Sequence, residues 1–267
     1  MTSRVQTDSD VLNDDAPWDD FDPRAYVDQN YRDLLDADAE ILTFVREHFS
    51  NHFREHPDRL IRGIDIGAGA NLYPALSMLP WCTEITLLER ARKNVRYLRG
   101  QKPHYDVSWD SFWEVLCQDP EYAVIDADRR ERFRARVQVE QGNLFAMERR
   151  KLFGRSRDPR RWQIGTMFFV AESISTSHAE FRRGVACFME ALEPGAPFAA
   201  AFMEGSRGYD VGDRHYPACD VDETQVRESF QGFVEKIETR RLGESSHLVR
   251  PGHTGIILAC GRRDRNS

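Results

Sequence analysis

IRGIDIGAGANLYPALSML, residues 61–79, decides the reading of this chain. Ile61, Ile64 and Ile66 form a short, β-branched apolar run, the pattern of a buried strand. Gly67-Ala68-Gly69 breaks that pattern with a tight turn, and Tyr73 to Met78 continues as a helix. In an open α/β sheet, ligands bind beyond the carboxyl ends of the strands, and a glycine turn there lets the backbone approach them. Twenty residues after Gly69, Glu89 ends the next apolar strand, EITLLE (84–89). A carboxylate in that place can hold two ribose hydroxyls.

Outward from this unit, strands and helices alternate. Residues 1–17 are polar and acidic without periodicity and read as a disordered tail. A helix starts near Pro23. Ile41, Phe44, Val45, His48, Phe49 and His52 then form one stripe of a long amphipathic helix over 36–54. After the second strand a helix runs through Asn94 and Leu98 to Gly100. Residues 103–135 look mostly helical, with Trp109, Phe112, Trp113 and Leu116 as the apolar face. Strands follow at 136–141 and 165–172, then a helix over 178–192 stopped by Pro194-Gly195, and a strand at 197–204. A Gly- and Asp-rich loop spans 205–222 and leads to a helix (222–231). The last strands, 234–241 and 255–261, have no helix between them. The alternation predicts an α/β fold, a Rossmann-like seven-stranded doubly wound sheet, with an antiparallel pair at one edge. One domain over 18–263 is expected.

Composition narrows the function. Hydrophobic residues make up 40% and charged residues 30%, as in ordinary globular proteins, and the net charge is −7. Wrapping nucleic acid needs the opposite balance, since phosphates are neutralised by Lys and Arg. The five cysteines include no CxxC pair, so neither a zinc cluster nor a disulfide framework is indicated. No apolar run approaches the ~18 residues of a membrane span. A soluble cytoplasmic protein, a monomer or weak homodimer, is expected. His48, His52 and His56 recur every four residues, but His56 falls at the helix end before Pro57, and surface or packing roles are favoured over metal. The basic run 149–161, RRKLFGRSRDPRR, reads as a solvated loop, with a phosphate-contacting patch as the alternative.

Two cofactor classes fit the strand–turn–helix frame. Dinucleotide enzymes want G-x-G-x-x-G, whose third glycine packs helix against strand at the pyrophosphate; here that position is Leu72. S-adenosylmethionine carries no phosphate and needs a turn, an acidic ribose clamp and an adenine slot, all of which are available. A turn that binds nothing is the plain alternative.

At this point several ordered motifs agree. F-D-P-R-x-Y (Phe21 to Tyr26) is followed by Tyr31; I-D-I-G-A-G-A-N-L-Y covers 64–73; Glu89 is followed by Asn94; Trp109 and Trp113 lie in a helical insertion; and L-E-P-G-A covers 192–196. In this set the chain resembles the small-molecule methyltransferases that include the nicotinamide, phenylethanolamine and indolethylamine N-methyltransferases, over about Phe21 to Arg262. The resemblance implies S-adenosylmethionine as cofactor and a small-molecule acceptor. It also implies an N-terminal helical lid (18–57) and a cofactor lining of Tyr26, Tyr31, Gly67, Ala68, Gly69, Tyr73, Glu89, Asn94, Asn143 and Leu144. Departures are Ala70 where the animal enzymes usually have Pro, Asn143 for Asp beside the adenine, and Glu89 for Asp at the ribose; they suggest a distant bacterial branch. Asp65 is expected to orient the loop backbone.

For the acceptor, Glu172 and Glu204 end strands four and five and should share the rim of the glycine turn. The resemblance aligns both with acids beside the acceptor in the family, where a carboxylate can bind an ammonium group or accept a proton. Tyr209 resembles a ring-stacking tyrosine, and Arg207 could pair Glu204 or hold a substrate carboxylate. Nucleic-acid amino-methyltransferases commonly carry Asp/Asn-Pro-Pro-aromatic after strand four; here that strand reads FFVAES, against an RNA substrate. N-methylation of an amine or pyridine is the leading expectation. O- or C-methylation, with His178, His215, His247 or His253 as a base, a silent cofactor-binding protein and a dehydrogenase follow.

Overall fold

The computed structural model describes residues 10–57, 61–147, 161–242 and 253–265. The N-terminal helices are α1 (Pro23–Asn30) and α2 (Asp36–Glu55). The first strand–helix units hold β1 (Ile61–Ile66), α3 (Tyr73–Met78), β2 (Cys82–Glu89) and α4 (Arg92–Gln101). Three short helices follow, α5 (Asp110–Leu116), α6 (Pro120–Ala123) and α7 (Arg129–Arg136). The chain continues through β3 (Val137–Gln141), β4 (Ile164–Phe168), α8 (His178–Ala191) and β5 (Pro197–Glu204). It ends with β6 (Tyr209–Val211), β7 (Arg214–Tyr216), α9 (Glu223–Ser229), β8 (Ile237–Leu242) and β9 (Gly255–Arg262). Seven strands make one sheet in the order β3-β2-β1-β4-β5-β9-β8. β1 to β5 pair in parallel, and β8–β9 forms the antiparallel pair expected at one edge, with β9 inserted beside β5.

Strand alternation divides the core into two layers. Ile85, Leu87, Phe168, Ala199, Ala201, Met203 and Leu258 face one side, where Ile41, Val45 and Phe49 of α2, Leu76 of α3, Phe112 of α5 and Phe133 of α7 cover them. Ile64, Ile66, Met167, Phe198, Phe202 and Ile257 face the other side, against Phe181, Val185 and Phe188 of α8 and Val226 of α9. Successive side chains of a strand point to opposite faces, so both faces of a parallel sheet must be buried. Trp109, Phe112, Trp113 and Leu116 are all buried, as their spacing predicts. Local signals set the helix starts. Asp22 accepts hydrogen bonds from the Arg24 and Ala25 N–H groups ahead of Pro23, and Asp222 and Gln225 form a capping box at α9.

Four features differ from the sequence reading. β4 stops at Phe168 rather than at residue 172, because Phe169 takes a left-handed conformation (φ 59°) and turns the chain. The 205–222 loop contains the β6–β7 hairpin. Residues 10–17 are laid along the body: Val11 exchanges hydrogen bonds with Thr176, and Asn13, 3% exposed, donates its N–H to Glu180. Within the expected lid, residues 18–57, α2 is a core helix, while Trp18, Phe21, Tyr26 and Tyr31 lie beside the turn that follows β1. Residues 1–9 of the tail, the basic run up to residue 160 and His247 lie outside the described residues. No described helix is long and apolar enough to cross a membrane.

Candidate active site

The turn after β1 is built by its two glycines. The Gly67 and Ala68 N–H groups both donate to the Leu88 carbonyl, at 2.8 and 3.1 Å, which folds the turn back over β2. Gly67 and Gly69 have φ of 67° and 59°, a region that disfavours residues with a Cβ. A Cβ on Gly67 would also lie 2.6 Å from Val170 Cγ1. Glu89 locks the far side of the turn. One carboxylate oxygen accepts from the Gly69 N–H at 2.8 Å and the other from the Ala91 N–H at 2.6 Å. Burial pushes its carboxyl above the usual range, opposed by these hydrogen bonds and by one from Asn94. Asp65, one strand back, is buried, accepts from the Thr166 hydroxyl at 2.7 Å and is pushed by burial up to about 8. It does not line the pocket.

A pocket opens at this turn. Gly67, Ala68, Gly69, Glu89 and Asn94 form its floor, Gly142, Asn143 and Leu144 one side, and Tyr26, Tyr31, Phe168, Phe169 and Tyr209 the aromatic wall. Of the expected cofactor residues, Tyr73 alone stays outside. It is fully buried behind Tyr31, stacked on Phe112 at 5.5 Å, because α3 turns it into the core. Trp18 and Phe21, both within the expected lid, also line the pocket, as does Asn13, which lies in the acidic stretch read as a tail. Trp18 stacks on Tyr216 and Tyr216 on Tyr209, each at 5.5 Å, so the β6–β7 hairpin and the N-terminal segment close one side together.

The two expected acceptor acids lie elsewhere. Glu172 is fully buried in the turn beyond β4, where it accepts from the Met203 N–H at 3.0 Å and the Ser173 hydroxyl at 3.1 Å. Glu204 does end β5, but Met203 faces the N-terminal helices, so its neighbour faces the opposite way. Its carboxylate accepts from Arg241 at 2.6 Å and Thr254 at 3.1 Å. Arg207 is exposed and pairs with Asp220 at 3.3 Å, not with Glu204. Tyr209 is where the sequence reading wants it, on the pocket wall and 7% exposed.

A second, smaller cavity adjoins the pocket and shares Tyr26, Tyr31 and Phe169 with it. Leu35, Ala37, Met203 and Ile256 complete its apolar wall, and Asn30 and Asp38 supply its polar groups. A third cavity, of about 660 Å³, lies at the opposite end of the sheet, by Ile61, Glu193, Ala196 and Arg262. His48, His52 and His56 border it. The His48 ring is within 3.2 Å of the Gly261 carbonyl and is pushed by burial down to about 4, while His52 and His56 stack at 4.7 Å. Among the described residues no group of three or more His, Cys, Asp or Glu side chains is disposed to hold a metal ion.

The glycine turn, its carboxylate clamp and the amide-bearing side wall suit S-adenosylmethionine. A family model described as the NNMT/PNMT/TEMT family matches residues 9–263, nearly the whole chain. The chain belongs to the NNMT/PNMT/TEMT family. It is accordingly an S-adenosylmethionine-dependent methyltransferase. The match begins at residue 9, so the NNMT/PNMT/TEMT family pattern includes the segment that carries Asn13 and Trp18. Similar solved structures include the N-methyltransferase NodS from Bradyrhizobium japonicum with S-adenosylhomocysteine (11% identity, 82% of this chain and 86% of that one, TM-score 0.45). Others are the glycopeptide N-methyltransferase MtfA (16%, 85% and 95%, 0.45) and the amino pentose methyltransferase CalS10 from Micromonospora echinaspora (15%, 81% and 89%, 0.43). Comparison with curated protein sequences gives no match.

Proposed function

We propose that this enzyme methylates the nitrogen of a small amine or pyridine. The observation that carries the reading is the small aromatic-walled cavity joined to the cofactor pocket through Tyr26, Tyr31 and Phe169. Its apolar wall suits an acceptor with an apolar body. A pyridine nitrogen, or an amine once its ammonium proton has been removed, attacks through its lone pair without the loss of a hydroxyl proton.

Bound S-adenosylmethionine supplies an electrophilic methyl group: the nitrogen lone pair forms the N–C bond while the C–S bond pair leaves to sulfur. The protein's task is placement, which can be worth up to ~7–11 kcal/mol. Glu89 would hold the ribose hydroxyls, with Asn94 fixing the carboxylate, and Asn143 and Leu144 would flank the adenine. Tyr26 and Tyr31 would exclude water and favour the sulfonium by cation–π contact, about 0.5–2 kcal/mol. The segment from Asn13 to Tyr31 would act as the lid. The test is transfer from methyl-labelled S-adenosylmethionine to a panel of arylalkylamines, pyridines, amino acids and phenols, with products identified by mass. Labelled amine or pyridine supports the reading; labelled phenol or carbon, or no transfer to any acceptor, overturns it.

A further inference from the structure

Asp38 stands in the first turn of α2, 6% exposed, on the wall of the cavity that adjoins the cofactor pocket. Its surroundings are apolar: Leu35, Ala37, Met203 and Ile256 line the same cavity. The titratable groups that face it are phenols: Tyr73, on α3, which acts on it as a hydrogen-bond donor, Tyr31, beyond the end of α1, and Tyr26, on α1 and the wall of the same cavity; β5 and β9 bring Met203 and Ile256, which carry no charge. A carboxylate held this deeply without a cation disfavours the folded state, and such groups concentrate at functional sites. Glu172 and Glu204 are held by the Met203 N–H and by Arg241, and neither lines either cavity.

We propose that Asp38 is the carboxylate that meets the methyl acceptor's nitrogen, in the role expected of Glu172 and Glu204. The inference rests on the N-methyltransferase reading and narrows it to a small primary or secondary amine. The acceptor enters as an ammonium ion paired with Asp38. One N–H proton passes to a carboxylate oxygen of Asp38, leaving a neutral amine with a free lone pair. Once that pair has formed the new N–C bond, the methylammonium product keeps the positive charge, and Asp38 returns its proton to water. Burial pushes the Asp38 carboxyl up to about 7, close to the pH at which it must both take and release this proton.

The test is calorimetric titration of benzylamine, and of the neutral benzyl alcohol, into protein saturated with S-adenosylhomocysteine. Wild type should prefer benzylamine by ~10–100-fold, the worth of one hydrogen bond between charged groups. Asp38→Asn should abolish that preference while S-adenosylhomocysteine affinity stays within ~2-fold, which also shows that the variant is folded. Glu204→Gln should keep the preference. A wild type without preference, an Asp38→Asn protein that retains it, or loss in Glu204→Gln instead would each overturn the assignment. Binding through Asp38 together with transfer to oxygen alone would sink the N-methyl reading and leave the amine site standing.

Discussion

Replacing Gly67 with alanine should unseat the turn on which the cofactor pocket is built. Two costs add. The residue sits at φ 67°, where a Cβ costs roughly 1–2 kcal/mol. That Cβ would also stand 2.6 and 2.7 Å from the two methyl carbons of Val170, against ordinary carbon contacts of about 3.5–4.0 Å. Relieving such overpacking costs typically ~1–3 kcal/mol. Urea unfolding should therefore show Gly67→Ala destabilised by ~2–5 kcal/mol, with weakened S-adenosylhomocysteine binding by calorimetry. Gly69→Ala separates the terms. It has φ 59° and meets only the Gly67 carbonyl oxygen, at 3.8 Å, so it should lose just the conformational ~1–2 kcal/mol. Adding Val170→Ala to Gly67→Ala should recover the steric part and leave the rest. A Gly67→Ala protein within ~0.5 kcal/mol of wild type, or no recovery in the double variant, would refute the reasoning.

Further outcomes follow from the same contacts. Because burial raises the Asp38 carboxyl from 3.8 to about 7, the folded state holds a proton that the unfolded state has released across that range. Wild-type stability should thus fall as pH rises through it and level off above, so Asp38→Asn should gain up to ~4 kcal/mol over wild type at pH 8 and little at pH 4, by urea titration at each pH. Glu89→Gln leaves one acceptor oxygen for two backbone N–H groups and removes the charge, so S-adenosylhomocysteine affinity should fall ~10–100-fold by calorimetry. Trp18→Ala removes the stack on Tyr216 and the indole N–H donated to the Asn13 carbonyl. Amide exchange over 10–22 should speed up ~5–10-fold with the urea midpoint unchanged.

Where side-chain spacing matched an element's period, the sequence was enough. The strand–turn–helix at 61–78, Glu89 and Asn94 at the next strand end, and the Trp109–Leu116 face all depend on local periodicity and glycine chemistry, and all fall where that reading puts them. The acceptor side was harder to read for identifiable reasons. Nothing in FFVAES announces that Phe169 turns left-handed and ends the strand four residues before Glu172. Alternation along PFAAAFME does fix that Met203 and Glu204 face opposite layers, a signal carried by residue order alone. The burial of Asp38 was similarly legible: it lies three, four and seven residues before Ile41, Leu42 and Val45, on the buried stripe of α2. Residues 10–17 read as a tail because their contacts, with Thr176, Glu180 and Arg90, are all distant in sequence.

The most direct test of the central claim is a crystal structure with S-adenosylhomocysteine soaked or co-crystallised. The ribose hydroxyls should lie within ~3 Å of the Glu89 carboxylate, with the sulfur directed toward the cavity shared by Tyr26, Tyr31 and Phe169. A ligand bound away from the Gly67–Gly69 turn, for instance in the cavity by His48 and Arg262, would contradict it.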